Sequence, residues 1–195
     1  MTLKQLYTRF VDTNSDINEH LPTLKEYGEK CSTITEFGTR SGYATVALLM
    51  SEPTTMVSYD LFKDESIVPV LELLDNFTFE QHDTLAVAID ETDLLFIDTL
   101  HRYFQLYNEL GLHSKKVKSY IIMHDTTTYG ETDEPMYSSN SNVLASDKVV
   151  DTDSHGLQAA IDDFLNTTKD GANWSVEKIY TNNNGLTILK RNSVK

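Results

Sequence analysis

Residues 33–50 read Thr-Ile-Thr-Glu-Phe-Gly-Thr-Arg-Ser-Gly-Tyr-Ala-Thr-Val-Ala-Leu-Leu-Met, and they are the most informative part of the chain. The first five, Thr33–Phe37, are rich in β-branched and aromatic residues and predict a strand. The run Tyr43–Met50 consists mainly of small and apolar residues and predicts a helix. Gly38 and Gly42 lie between them, and glycine permits the positive φ angles of a tight strand-to-helix turn. The stretch is typical of the start of a βαβ unit.

The same alternation of short apolar runs and helical runs continues along the chain, which indicates a parallel sheet. Near the end, Asn184-Gly185 separates two further apolar runs and predicts a hairpin. We therefore expect an α/β fold: a Rossmann-like, doubly wound, seven-stranded and mostly parallel sheet with a C-terminal antiparallel hairpin and helices on both faces. After Thr33–Phe37, the predicted strands are Met56–Tyr59, Phe77–Glu80, Leu94–Ile97, Tyr120–Met123, Trp174–Tyr180 and Leu186–Lys190, and the later helices are Ile67–Leu74, Tyr103–Leu112 and Leu157–Leu165.

The length of 195 residues predicts a single domain spanning 1–195. Residues 1–31 form its N-terminal helical segment in this interpretation, because apolar residues recur there at helical spacing. Residues 126–153 are polar and lack a clear period, so we expect a long loop. Loops of that length are often lids or binding elements.

The composition excludes several classes of function. The net charge of −14 opposes binding to nucleic acids and to anionic membranes. A single cysteine, Cys31, cannot form an internal disulfide. No apolar run approaches a membrane span or a signal peptide. We expect a soluble cytoplasmic protein, and its Asn, Asp and Thr content with few Pro and Gly residues suits a virus or phage.

Acidic residues and histidines follow the predicted strands. Asp60, about 20 residues beyond the glycine turn, is placed to accept hydrogen bonds from a ribose diol, or it is a helix cap or a solvated loop residue. Asp98, His124 and Asp125 also follow strands, and the carboxyl ends of parallel strands bind ligands in open α/β sheets. These three could hold Mg²⁺ or Mn²⁺, or form a hydrogen-bonded polar cluster without metal. His101 comes three residues after Asp98.

The decapeptide Glu36-Phe-Gly-Thr-Arg-Ser-Gly-Tyr-Ala-Thr45 resembles the first motif of class I S-adenosylmethionine-dependent methyltransferases. It is closest to the E-[LIF]-G-x-x-x-G-Y-[SA] form of the catechol and caffeoyl-CoA O-methyltransferase type. Leu94–Asp98 and Tyr120–Thr126 resemble the fourth and fifth strands of that group. The patterns I-D-x-x-H and H-D-T are more similar still to methyltransferase family 24, which neighbours the cephalosporin hydroxylase-like proteins. The resemblance covers roughly residues 33–126 and the terminal helix and hairpin.

The resemblance implies S-adenosylmethionine as the cofactor. The implied roles are the methionine-end and ribose loop for Glu36, Gly38, Thr39 and Gly42, the ribose hydroxyls for Asp60, a place near the adenine for Asp83, and a cofactor contact for Asp98.

The resemblance also implies a divalent metal, with Asp98 matching the first metal-ligand Asp of the catechol type. His124-Asp125 stands where that type has Asp-Asn and the hydroxylase-like proteins have Glu-Asp. His101 stands where the catechol enzymes have a lysine that acts as general base, and histidine is suited to that role. His101 and Asp98 are thus the predicted catalytic residues.

The implied reaction is in-line methyl transfer to a hydroxyl of a small molecule or sugar, with or without Mg²⁺ or Mn²⁺. His20, His124 and Tyr129 are the candidates for the acceptor site, although His20 could equally be a surface histidine at a helix start and Tyr129 a packed aromatic. Two alternatives stay open: a hydroxylase-like metal enzyme on the same fold, and a non-catalytic module that binds S-adenosylmethionine. Relatives of the catechol type are often dimers, which keeps a homodimer open as well.

Overall fold

The computed structural model describes residues 2–135 and 155–193, and its centre is one seven-stranded sheet. The strands are β1 (Thr33–Phe37), β2 (Thr55–Asp60), β3 (Phe77–Gln81), β4 (Thr92–Ile97), β5 (Val117–His124), β6 (Trp174–Tyr180) and β7 (Leu186–Arg191). Their order is β3-β2-β1-β4-β5-β7-β6. Strands β1 to β5 are parallel, whereas β7 is antiparallel to both β5 and β6. The predicted fold class is confirmed.

Six α-helices surround the sheet in the described residues: α1 (Leu3–Asp12), α2 (Leu21–Gly28), α3 (Tyr43–Leu49), α4 (Val68–Leu71), α5 (Tyr103–His113) and α6 (Gly156–Thr167). None of them is long and apolar enough to cross a lipid bilayer. Helix α4 is shorter than the predicted Ile67–Leu74, because the Leu74 N–H bonds to the Leu71 carbonyl and tightens the chain into the turn that leads to β3.

The helices cover both faces of the sheet, and the strands alternate between the two cores. On β4, Leu94 and Phe96 belong to one apolar cluster, with α1 to α4, while Leu95 and Ile97 belong to the other, with α5 and α6. All four side chains are at most 3 % exposed. A strand buried on both faces appears in the sequence as a continuous apolar run, which is why β4 could be predicted.

The carboxyl ends of four parallel strands meet at one edge of the sheet. Phe37 pairs with both Tyr59 and Ile97, and Ile97 pairs with Met123. The residues that follow these positions are therefore neighbours, as expected for an open α/β sheet. Residues 126–135 form turns beside the end of β5, and the rest of the predicted loop, 136–153, lies outside the described residues.

Candidate active site

The turn between β1 and α3 depends on its two glycines. Gly38 has a φ of +88°, and a Cβ there would lie 1.9 Å from the carbonyl oxygen of Asp98. Gly42 has a φ of +77°, and its Cβ would lie 2.9 Å from Ile67 Cγ1. Positive φ and close packing both require glycine. The fold therefore explains these two glycines without a ligand.

Asp60, at the end of β2, holds this turn in place. Its Oδ2 accepts hydrogen bonds from the backbone N–H groups of Thr39 (2.8 Å) and Arg40 (2.9 Å), and its Oδ1 accepts one from Phe62 N–H (3.1 Å). A carboxylate offers about four acceptor positions. Asp60 thus binds the backbone of the glycine turn instead of capping a helix. One of its acceptor positions is left for a ribose hydroxyl.

Glu36 lies beneath the turn, fully buried, and lines neither of the clefts described below. Its Oε2 accepts hydrogen bonds from Thr45 Oγ1 (2.8 Å) and from Ser58 Oγ, whereas its Oε1 is buried without a partner. Burial raises the pKa of Glu36 to about 8, in spite of these hydrogen bonds. Because Glu36 lines neither cleft, its predicted contribution to cofactor binding would be indirect, through its support of the turn and of α3.

Two clefts flank the turn. The first, of about 580 Å³, lies between 15–17 and 38–44 and has Asp98 among its lining residues. The second, of about 760 Å³, is lined by Asp60, Phe62, Lys63 and Asp64. Arg40 and Ser41 line both clefts. Asp83 lies beyond the end of β3, where its Oδ1 accepts a hydrogen bond from Leu85 N–H (2.9 Å), and it lines neither cleft.

A cluster of ionisable residues lies next to the first cleft, at the ends of β4 and β5. His101 Nε2 lies 2.9 Å from Asp125 Oδ2 and 3.2 Å from Asp98 Oδ1. On the other side of the ring, His101 Nδ1 lies 2.9 Å from Glu134 Oε2. Tyr129 stacks on the ring with centroids 4.9 Å apart. Four neighbouring side chains thus fix the orientation of the His101 ring.

The charges in the cluster stabilise each other. Burial would lower the pKa of His101 and of His124, but the carboxylates of Asp125 and Asp98 outweigh it and raise both to about 10. Burial would raise the pKa of Asp98, but the neighbouring His101 and His124 rings lower it to about 2, and the same balance lowers the pKa of Asp125. At neutral pH the cluster holds negative carboxylates and protonated imidazoles.

The cluster also suits a cation. Ligand atoms of Asp98, His101 and Asp125 all lie within 4.8 Å of one another. Asp125 Oδ1 is buried and has no hydrogen-bond partner, and Asp125 adopts an unusual φ of +59°. One carboxylate pair with an imidazole favours Mn²⁺ or a later divalent metal over Mg²⁺. The predicted trio of Asp98, His124 and Asp125 stays a prediction, and the geometry brings together a second trio, with His101 as its histidine.

His124 stands next to this trio. Its Nδ1 lies 3.2 Å from Asp125 Oδ2 and 3.5 Å from Asp98 Oδ1, yet it is buried without a hydrogen bond. Its Nε2 lies 3.2 Å from the carbonyl oxygen of Asn183. The ring is therefore held from behind, with Nδ1 facing the carboxylates.

His20 proves to be buried, with 1 % of its surface exposed, so the surface alternative is wrong. Its ring packs edge-on to His124 with centroids 5.7 Å apart, and its Nε2 lies 2.9 Å from the carbonyl oxygen of Asn182. It precedes α2, as the sequence indicated. The β6–β7 turn buries it, and no pattern near His20 could reveal that contact.

The β6–β7 turn connects the N-terminal segment to the site. Asn183 Oδ1 accepts a hydrogen bond from Glu19 N–H (3.0 Å), and Asn183 Nδ2 donates one to the Ser15 carbonyl (2.7 Å). The Asn184 carbonyl accepts hydrogen bonds from the N–H groups of Thr127 (2.9 Å) and Thr128 (3.0 Å). The turn thus fixes the first residues after β5 and one wall of the first cleft.

Sequence reasoning missed three residues of the site. Glu134 lies in a segment without periodicity, so nothing indicated its contact with His101. Arg40 Nη1 pairs with Asp16 Oδ2 at 2.7 Å across the mouth of the first cleft. The only signal was that Arg40 occupies the middle of the glycine turn.

No protein-family model matches the sequence, and no curated protein matches it either. Among solved structures, the chain is similar to the N-methyltransferase NodS from Bradyrhizobium japonicum WM9 in complex with S-adenosyl-L-homocysteine, with 12 % identity, a TM-score of 0.61 and 100 % of each chain covered. It is similar to the methyltransferase PaMTH1 from Podospora anserina bound to the same compound, with 15 % identity, a TM-score of 0.60, and 98 % of this chain and 86 % of PaMTH1 covered.

A third similar structure is a Staphylococcus aureus protein provisionally named a caffeoyl-CoA O-methyltransferase, with 14 % identity, a TM-score of 0.59, and 97 % of this chain and 98 % of that one covered. At these identities the comparisons establish the fold, which is the Rossmann-like fold of class I methyltransferases.

Proposed function

We propose that this protein is an S-adenosylmethionine-dependent methyltransferase that acts on a hydroxyl group of a small molecule or sugar. The observation that carries the proposal is a juxtaposition at one sheet edge. The first of the two clefts beside the glycine turn adjoins the Asp98–His101–Asp125 cluster, in a fold shared with two solved structures that hold S-adenosylhomocysteine. Binding groups for a cofactor and acid–base groups for an acceptor would thus be neighbours.

The cofactor would lie along the turn. Its ribose would bind at Asp60, which retains an acceptor position, and its base near Asp83 and the exposed Phe62. Gly38, Thr39 and Gly42 would shape the first cleft for the methionine end. When bound, S-adenosylmethionine supplies an electrophilic methyl group on a sulfonium centre. The chain's contribution is to hold that centre and the acceptor oxygen in line.

An acceptor hydroxyl must lose its proton during the reaction, so a base is needed within hydrogen-bond reach. His101 is the predicted base. Its pKa of about 10 means, however, that it holds a proton at neutral pH as long as no cation is bound to the two aspartates. A cation bound to Asp98 and Asp125 would offset that effect. It would also use the lone pair of His101 Nε2, so His101 can serve as ligand or as base but not both.

The residues present fit a divalent cation, which would polarise the acceptor hydroxyl and lower its pKa. Asp98, His101 and Asp125 would hold it, with Glu134 fixing the tautomer of His101 from the other side. The same cation would also offset the carboxylates that raise the pKa of His124, and His124 Nδ1, 3.2 Å from Asp125 Oδ2, would then be the remaining proton acceptor. Tyr129 and His20 would border the acceptor.

Calorimetric titration with S-adenosylhomocysteine, repeated with Mn²⁺, with Mg²⁺ and with EDTA, tests the proposal. We expect micromolar binding, and binding that responds to Mn²⁺ if the cation site is used. The substitution Asp98→Asn should weaken it, whereas Asp75→Asn, at an exposed position remote from the site, should not. Absence of S-adenosylhomocysteine binding under every condition contradicts the proposal.

A second candidate is a metal enzyme on the same fold that does not transfer methyl groups. The convergence of one imidazole and two carboxylates favours it, because such ligand sets support other metal chemistry. It predicts Mn²⁺ binding that is lost on Asp125→Asn, together with no binding of S-adenosylhomocysteine. The same titrations therefore distinguish the two candidates.

A further inference from the structure

The first cleft has an unusual distribution of charge. Its lining includes two carboxylates, Asp16 and Asp98, and a single basic residue among the described part of the chain, Arg40. The chain as a whole carries a net charge of −14. An anionic group entering this cleft would be repelled by Asp16 and Asp98 and attracted by Arg40. That makes Arg40 the determinant of whether the cleft accepts a carboxylate.

The backbone of Arg40 is held so that the side chain stays over the cleft. Its φ is +46°, in the left-handed region, and its N–H donates to Asp60 Oδ2 at 2.9 Å. This geometry costs free energy for a residue other than glycine or asparagine. A glycine would satisfy the turn better, so the conformation of the turn does not explain the arginine.

The present partner of Arg40 is weakly held. The Arg40–Asp16 pair joins two side chains that are 71 % and 35 % exposed, and ion pairs this exposed contribute little to stability. A guanidinium also binds a carboxylate through two parallel hydrogen bonds. An incoming carboxylate can therefore replace Asp16 at little cost.

Building on the proposed function, we propose that Arg40 binds the α-carboxylate of the cofactor's amino-acid end, and that Asp16 holds the guanidinium over the cleft until that carboxylate arrives. S-Adenosylhomocysteine carries an α-carboxylate, whereas 5′-methylthioadenosine has the same nucleoside and thioether without the amino acid. The difference in affinity between these two compounds measures the contribution of the whole amino-acid end, and the part of that difference that Arg40→Gln removes is the contribution of Arg40.

The experiment is calorimetric titration of the full chain with both compounds. The wild-type protein should bind S-adenosylhomocysteine more tightly than 5′-methylthioadenosine. Arg40→Gln should weaken S-adenosylhomocysteine at least about tenfold and leave 5′-methylthioadenosine unchanged, because a charge-assisted pair is lost. Arg40→Lys should fall between, since lysine keeps the charge without the planar fork. Arg9→Gln, the same change at an exposed site on α1, is the matched control.

Asp16→Asn gives a prediction of the opposite sign. It removes the group that competes for Arg40, so S-adenosylhomocysteine should bind as tightly as before or more tightly. If the Arg40–Asp16 pair were purely structural, Arg40→Gln and Asp16→Asn would each weaken the binding of both compounds. In every variant, retained binding of 5′-methylthioadenosine reports a folded nucleoside cleft.

The outcomes separate this inference from the proposed function. If the wild-type protein binds both compounds equally, or Arg40→Gln weakens both equally, Arg40 does not recognise the carboxylate, although the nucleoside cleft remains. If the wild-type protein binds neither compound, the proposed function itself fails and takes this inference with it.

Discussion

Gly38 and Asp98 are in such close contact that no side chain fits between them. The Cβ that alanine would add to Gly38 would lie 1.9 Å from the backbone carbonyl oxygen of Asp98. The Asp98 N–H in turn donates to the Phe37 carbonyl at 2.8 Å, so the ends of β1 and β4 are joined at this point. The position of Asp98, the centre of the candidate site, thus depends on the residue at position 38.

Gly38→Ala should lower the free energy of unfolding by at least about 1–3 kcal/mol, because alanine is strained at a φ of +88° and its Cβ meets a backbone atom. Urea unfolding followed by circular dichroism measures this. Gly111→Ala is the control: its Cβ would meet nothing within 4 Å inside α5, and it should stabilise by about 0.5–1 kcal/mol. Equal effects of the two substitutions would count against the contact.

The buried Glu36 should make stability fall as the pH rises. Burial raises its pKa from 4.5 to about 8, so between these values the folded protein binds a proton that the unfolded chain does not. The free energy of unfolding therefore decreases from pH 4.5 to about 8, by at most about 1.4 kcal/mol per pH unit, and is independent of Glu36 above that. Urea unfolding at several pH values should show a smaller decrease in Glu36→Gln.

Glu109 on α5 provides the comparison for that experiment. Burial raises its pKa to about 7, in spite of hydrogen bonds from Thr84, Gln105 and Thr99. Glu109→Gln should therefore remove part of the decrease only below about pH 7 and leave the portion between 7 and 8 intact. A Glu36→Gln variant with the wild-type slope in that upper range would overturn the assignment.

Glu134 should control metal affinity through His101. Glu134→Gln keeps the size of the side chain but removes the carboxylate that lies 2.9 Å from His101 Nδ1. Loss of such a partner weakens metal binding about 10- to 100-fold. Calorimetry with Mn²⁺ tests this, with Glu131→Gln, exposed and three residues earlier, as the control. Unchanged Mn²⁺ affinity in Glu134→Gln means that Glu134 does not support a metal ligand.

Cys31 should react slowly with thiol reagents in the folded protein. Burial, and to a lesser degree Asp93, raise the pKa of its thiol to about 12, so almost no thiolate exists at pH 8. Ellman's reagent should therefore label the native chain slowly and the urea-unfolded chain quickly. Rapid labelling of the native protein would contradict the raised pKa of this half-buried thiol.

The fold could be predicted from the sequence because its signals are local. Every residue of the run Leu94–Ile97 is apolar, and successive residues face opposite sides of the sheet. Asn184-Gly185 forms its turn within a few residues. Asp98 and His124 could be predicted to lie close together, because the carboxyl ends of parallel strands meet at the same edge of the sheet.

The remaining parts of the site depend on contacts between residues distant in sequence. Glu134 meets His101 only because 126–135 folds back over the end of β4, and Arg40 meets Asp16 across 24 residues. Even the choice between His101 and His124 in the cation trio depends on rotamers, which no spacing rule specifies. The roles assigned to His101, His124, Asp83 and Tyr129 stay predictions until they are measured.

The hydrogen bonds that join Asn183 with Glu19 and Ser15 also bear on how the protein is made. A ribosome delivers Glu19 164 residues before it delivers Asn183 in the β6–β7 turn. Until that turn emerges, the wall containing Asp16 lacks this anchor, and His20 lacks the turn that buries it. We therefore expect a nascent chain that is stalled before this turn emerges to lack the ordered wall of the first cleft, even where β1 to β5 have already formed.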